Sequence, residues 1–165
     1  MSEADRTRPE HAGARAAVVA SPVGRLVLVA EGDALVRLHW GESALPEAAA
    51  DPLLTEARAQ LAVYFAGRLT RFTLPLSPAG SAFERRVWRA LCAIPFGDTV
   101  TYGALARDLS SAPRAIGRAV ARNPLPILIP CHRVVGSRGA LVGYSGAAGV
   151  ATKRALLVHE GALLC

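Results

Sequence analysis

Short apolar runs broken by turn-forming residues dominate the first eighty positions. Ala16 to Ala20 is one run, and Ser21-Pro22-Val23-Gly24 after it reads as a turn. Leu26 to Ala30 and Leu35 to Trp40 flank Glu31-Gly32-Asp33. Apolar runs of this length around a tight polar turn predict a strand meander or hairpin. Asp51 can cap a helix whose first residue is Pro52. That helix should run to about Ala66, bury Leu54, Leu61 and Phe65, and stop at Gly67. Phe72 to Leu76 reads as a further strand. Pro75 to Gly80 has the composition of a linker, and the domain boundary is expected there. Residues 1–15 are polar and read as a flexible tail, leaving 16–76 as an N-terminal α/β domain.

The periodicity then changes. Ser81 and Glu84 have capping-box spacing, so a helix should begin at Ala82. Phe83, Val87, Leu91 and Ile94 recur at helical intervals, and Cys92 is expected on the inner side of this helix. Pro95-Phe96-Gly97-Asp98 ends it. Two shorter helices follow, about Tyr102 to Leu109 and Pro113 to Arg122, joined by a tight polar turn and closed by Asn123-Pro124. This is the pattern of a helix-turn-helix. The fold class expected is therefore α/β, a small sheet-plus-helix domain followed by a mostly helical domain over 81–165.

In the second short helix Arg114, Arg118 and Arg122 form one stripe, while Ile116 and Val120 repeat on another face. Ala115, Gly117, Ala119 and Ala121 lie between them. Small residues allow close approach to a nucleic-acid groove, and arginine neutralises phosphate. The same stripe also fits a solvated face on an Ala-rich helix.

Charge favours the first of those readings. Residues 1–80 carry a net charge of −1 and residues 81–165 carry +7. A near-neutral half joined to a basic half points to a polyanionic partner, although an Arg-rich genome gives similar numbers. The three cysteines, Cys92, Cys131 and Cys165, include no CxxC pair, which argues against a disulfide framework or a cysteine-rich zinc site. No apolar stretch is long enough to span a bilayer and no leader pattern is visible. The expectation is a cytoplasmic, nucleoid-associated protein of bacterial type, with no membrane partner.

Candidate chemistry centres on Ile127-Leu128-Ile129-Pro130-Cys131-His132-Arg133-Val134-Val135, a thiol beside an imidazole in an apolar segment. A nearby histidine can lower a thiol's pKa or take its proton. In a regular strand the two side chains would point to opposite faces, so coupling them needs an irregular backbone or an intervening water. Glu160 follows an apolar helical run and precedes Gly161, a natural helix terminator. A carboxylate there opposes the helix dipole, which suggests another task, such as orienting His132, if it is not simply an exposed glutamate.

Together these segments resemble the O6-alkylguanine-DNA alkyltransferases over roughly residues 81–161. The resemblance rests on Phe83, Val87-Trp88, Ile94-Pro95, Tyr102-Gly103, Arg114-Ala115-Ile116-Gly117, Asn123-Pro124 and Ile129-Pro130-Cys131-His132-Arg133-Val134. It continues through Gly143-Tyr144-Ser145-Gly146 and Lys153, Leu156-Leu157, His159-Glu160-Gly161. Residues 16–76 match the family's ribonuclease H-like N-terminal domain only in length and pattern.

The resemblance implies a role for each matching position. Cys131 accepts the alkyl group, His132 deprotonates it through a water, and Glu160 orients the histidine. Asn123 holds the turn between the recognition helix and the active segment. Arg114 enters the base stack in place of a flipped nucleotide, and Arg118, Arg122, Ala115 and Gly117 line the DNA. Tyr102 donates a proton or hydrogen bond to the departing guanine. Tyr144 and Ser145 close over the base, and the Val134 carbonyl reads its amine. The implied activity is direct DNA repair, by stoichiometric and irreversible transfer from O6-alkylguanine in double-stranded DNA, with O4-alkylthymine also admitted.

Departures from the family sharpen the reading. Animal members bind zinc through N-terminal cysteines, which this half lacks, so neither metal nor cofactor is expected. Arg118 stands where some members have a second glycine, which should add a phosphate contact. Alkyltransferase-like proteins carry Trp in place of the acceptor, and Cys131 argues against that class. A monomer is expected, with cooperative binding along DNA admitted. Two alternatives stay open here: a damage-sensing or regulatory DNA-binding protein without chemistry, and a Cys-His hydrolase.

Overall fold

The computed structural model describes residues 13–164. Strands β1 (Arg15–Ser21), β2 (Gly24–Glu31) and β3 (Ala34–Trp40) form an antiparallel sheet in that order. Gly24 at φ 112° and Gly32 at φ 56° take turn conformations that L side chains resist. Helix α1 (Pro52–Phe65) covers one face of the sheet. Asp51 Oδ1 accepts the Leu54 amide at 2.9 Å, and Gly67 at φ 75° follows the helix end. Leu54, Ala57, Leu61 and Tyr64 are buried against Leu26, Leu28, Leu35 and Leu38. Phe65, expected inside, is only half-buried; its neighbour Tyr64 takes the inner place.

Two expectations for this half need correction. Arg15, assigned to the tail, opens β1, and its guanidinium pairs with the helix cap Asp51. The rest of that assignment, through residue 12, lies outside the described residues, as does Cys165. Phe72 to Leu76 is not a strand. It makes one isolated parallel bridge, Leu35 with Leu76, through Leu35 N to Pro75 O (2.9 Å) and Ser77 N to Leu35 O (2.8 Å). Pro75 has no amide hydrogen, and with Pro78 it prevents a continued ladder.

The second half begins with α2 (Ala82–Cys92), closed by a complete capping box: Glu84 N to Ser81 Oγ and Ser81 N to Glu84 Oε2, both 3.0 Å. Val87, Trp88 and Leu91 form its buried stripe. Cys92 is exposed, against expectation, because one further residue turns it about 100° past Leu91 and off that stripe. Strand β4 (Val100–Thr101) leads straight into α3 (Tyr102–Asp108), followed by α4 (Pro113–Ala121). Strand β5 (Val134–Val135) pairs parallel with β4, and α5 (Val150–His159) is the last helix among the described residues. No helix among the described residues is long and apolar enough to cross a membrane.

One apolar core runs through both halves, from Leu26 and Leu61 to Leu91, Ile116 and Leu156. Polar ties cross it: Trp88 Nε1 donates to Ala119 O at 2.8 Å, and Leu38 N to Pro124 O at 2.9 Å. The connecting segment belongs to this packing. A Cβ on Gly80 would lie 2.4 Å from Trp88 Cη2 and 2.7 Å from Glu84 Oε2. Gly80→Ala should therefore destabilise the fold by about 1–3 kcal/mol, through overpacking against a buried indole. Urea denaturation checks this; an unchanged midpoint would show that the segment yields freely.

Candidate active site

The loop after α4 is built to deliver one short turn. Asn123 Nδ2 donates to Ile129 O (2.9 Å), Asn123 Oδ1 accepts Leu125 N (3.0 Å), and Ile129 N closes on Leu125 O (2.8 Å). Ile127 inside this loop is buried with φ 72°, a conformation unfavourable for a β-branched residue and held here by its surroundings. Pro130 follows at φ −79°, ψ 65°, and Cys131 N bonds Ile129 O at 2.8 Å, the geometry of an inverse γ-turn. Cys131–Arg133 then form one 3-10 turn in which all three side chains are buried. This is the irregular backbone that coupling Cys131 to His132 requires.

His132 is fully buried, with Nε2 2.8 Å from Glu160 Oε1. An ionised carboxylate can only accept, so Nε2 carries the proton and Nδ1 keeps its lone pair. Nδ1 is buried and has no hydrogen-bond partner in the protein. Glu160 caps α5 and is 4% exposed, which rules out the exposed-glutamate alternative. Arg133 clamps the carboxylate through Nε to Oε2 (2.8 Å) and Nη2 to Oε1 (2.9 Å), and donates Nη1 to Ile94 O (2.6 Å). Tyr64, on α1 in the other half of the chain, donates its hydroxyl to Glu160 Oε1 at 2.8 Å.

Burial sets the resting protonation. It pushes the Cys131 thiol up, partly offset by a hydrogen bond from Asn123 and the Lys153 cation. It pushes His132 down, against the pull of Glu160. Burial alone would raise Glu160 too, but hydrogen bonds from His132 and Arg133, with the Arg133 charge, hold it at about 2. At neutral pH the site therefore holds a thiol, a neutral imidazole and a carboxylate.

Other expected residues converge on the thiol. The β4–β5 pairing carries Tyr102, first residue of α3, beside the 131–135 segment, where burial and then Cys131 raise its pKa. Val134 is buried in β5. The Tyr144 hydroxyl is buried without a protein partner, and its ring meets Trp40 edge-on with centroids 6.2 Å apart. Ser145 is exposed and lines an open cleft with Trp40, Arg122 and Asn123. On α4, Arg114 and Arg118 are exposed, and a Cβ on Gly117 would meet nothing within 4 Å. Internal packing does not require that glycine. Arg122 is less free than its stripe suggested: it pairs with Glu84 at 2.9 Å, an exposed contact weak enough to exchange for a phosphate.

Three site residues escaped a role in the sequence reading. Tyr64 gave no signal, and Arg133 belonged to the block that carries the resemblance but had no role of its own. Lys153 is fully buried, donates to Val142 O (3.0 Å) and Gly143 O (3.4 Å), and sits 5.8 Å from the Tyr102 ring centroid. A lysine on the same helix face as Leu156 and Leu157 was the available clue. Among the described residues no group of three or more His, Cys, Asp or Glu is placed to hold a metal ion.

Residues 82–162 match the family description "6-O-methylguanine DNA methyltransferase, DNA binding domain", and residues 15–78 match its ribonuclease-like domain. The chain belongs to the 6-O-methylguanine DNA methyltransferase family. A methylated-DNA–protein-cysteine methyltransferase of Mycobacterium leprae is 42% identical over 150 residues, covering 85% of this chain and 88% of that one. The constitutive enzyme of that name from Bacillus subtilis is 42% identical over 137 residues, covering 76% and 83%. Among solved structures, Mycobacterium tuberculosis OGT in complex with DNA aligns with a TM-score of 0.80 and 40% identity, covering 89% and 92%.

Replacing the carboxylate tests the buried network. Glu160→Gln leaves the Arg133 guanidinium without a counter-charge and should destabilise the fold by roughly 3–5 kcal/mol. Because folding lowers the Glu160 pKa from the ordinary 4.5 to about 2, its stabilisation is complete above about 4.5 and is lost as pH falls through about 2. Denaturation across that window should show wild type and variant converging; a gap constant with pH would contradict the assignment.

Proposed function

We propose that the protein repairs alkylated DNA by taking the alkyl group from O6-alkylguanine onto Cys131, once per molecule. The observation that carries this reading is the buried Cys131 turn, with a neutral His132 held by Glu160, in a domain whose α4 presents exposed arginines and an unobstructed Gly117. DNA is the partner, and the O6-alkylated base in a duplex is the substrate.

A base inside a duplex cannot reach a buried thiol, so it must be extruded, at about a few kcal/mol. Arg114, on the first turn of α4, fills the gap that the base leaves and offsets part of that cost. Arg118 and Arg122 neutralise phosphate, and Ala115 and Gly117 let the helix approach. His132 Nδ1 takes the Cys131 proton through an intervening water. The sulfur then forms a bond to the alkyl carbon as the bond from that carbon to O6 breaks, and Tyr102 supplies a proton or hydrogen bond to the departing guanine. Tyr144 and Ser145 close the far side of the base, and the Val134 carbonyl accepts from its amine. The product is a thioether that no group in the site cleaves, so the protein is consumed. O4-alkylthymine fits the same chemistry. The protein acts as a monomer in the cytoplasm.

Duplex DNA with a labelled O6-methyl group tests this. Label should move to the protein and plateau at one equivalent, more slowly as salt rises because phosphate contacts release counterions. Stable binding without uptake would favour a damage sensor. Arg114→Ala should slow transfer from duplex DNA by about tenfold or more, the cost of an unassisted extrusion. It should leave reaction with free O6-benzylguanine nearly unchanged; equal losses on both substrates would remove Arg114 from base extrusion.

A further inference from the structure

The hydroxyl of Tyr64 has no packing role. Its ring lies in an aromatic cluster with Phe65 (centroids 4.9 Å apart), His159 (4.9 Å), Phe72 (5.2 Å) and Phe96 (6.1 Å). Phenylalanine would fill that space equally well. The added oxygen is buried and makes one polar contact, a 2.8 Å hydrogen bond to Glu160 Oε1. That carboxylate oxygen also accepts from His132 Nε2 at 2.8 Å and Arg133 Nη2 at 2.9 Å. Three donors on one oxygen compete, because each withdraws electron density from the others. The backbone of the same residue is fixed as well: Tyr64 O accepts from His159 Nε2 at 2.7 Å. The donor is therefore held rigidly from both ends.

We propose that Tyr64 is a positioning residue for alkyl transfer: its hydroxyl fixes the Glu160 carboxylate and limits how strongly that carboxylate holds the His132 imidazole. The proposal rests on the reading of Cys131 as alkyl acceptor. Its consequence is that the N-terminal half takes part in the chemistry. α1 delivers a donor to the centre of the site, so Cys131 reactivity depends on how the two halves dock.

The ionisable groups around the His132–Glu160 pair define what else could move its titration. Cys131 and Arg133 lie on the same 3-10 turn, and Lys153 and His159 on α5. Tyr102 comes from the start of α3, and Tyr144 from the loop before α5. Only Tyr64 comes from the N-terminal half, and the substitution below leaves the others in place.

The test is the His132 titration, followed by NMR in the full chain. In Tyr64→Phe the carboxylate loses a competing donor and pulls harder on the imidazole, so His132 should titrate higher by roughly half a pH unit. The acid limb of benzyl transfer from free O6-benzylguanine should move up with it. Site-specific 3,5-difluorotyrosine at position 64 keeps the ring and strengthens the donor, and should move both in the opposite direction. An unmoved His132 titration in either variant overturns the proposal, even if stability changes. A moved titration without benzyl transfer in the wild type would support the positioning of His132 and overturn the alkyl-transfer reading instead.

Discussion

A single buried carboxylate organises this molecule. Glu160 sits at the end of α5, where the helix dipole disfavours it, and out of contact with water. A charge in that position is tolerable only when fully hydrogen-bonded. Its partners come from across the fold: Tyr64 from α1, and His132 and Arg133 from the 3-10 turn. Arg133 also reaches back to the carbonyl of Ile94, just beyond α2. Satisfying Glu160 thus fixes the relative placement of the two halves and the turn that bears Cys131.

The turn itself solves a geometric problem. Neighbouring side chains on a strand diverge, yet the proposed chemistry needs a thiol and an imidazole to cooperate. The Asn123-braced loop, the left-handed Ile127 and the γ-turn at Pro130 spend backbone strain to bury Cys131, His132 and Arg133 together. Burial keeps the thiol protonated at rest and the imidazole neutral, which leaves His132 able to accept a proton in the proposed transfer. Helix α4 has the opposite character. Its arginines are exposed and at most loosely paired, as the proposed exchange of water for phosphate requires.

Local chemistry made much of this legible from the chain alone. The capping box at Ser81, the proline at the start of α1 and the alternation of apolar runs with turns predicted elements that the structure contains. Glu160 stood out because its charge opposed its helix. The errors arose where tertiary competition decides. Pro75 spoiled a strand that its neighbours' hydrophobicity favoured, and Cys92 missed the buried stripe by one helical step. Tyr64 lies 96 residues from Glu160, and no periodicity carries a pairing over that distance. Lys153 and Arg133 were visible as charges, but only packing shows that both are buried.

The central claim is that burial holds His132 neutral, while Glu160 keeps its proton on Nε2 and leaves a free lone pair on Nδ1. Nitrogen NMR of the labelled His132 imidazole in the resting protein measures this directly. At neutral pH the spectrum should report a neutral ring protonated at Nε2, with its titration below the ordinary 6.5 of histidine. An imidazolium at neutral pH, or a proton on Nδ1, would contradict the account, because neither form could take the proton of Cys131 at that atom.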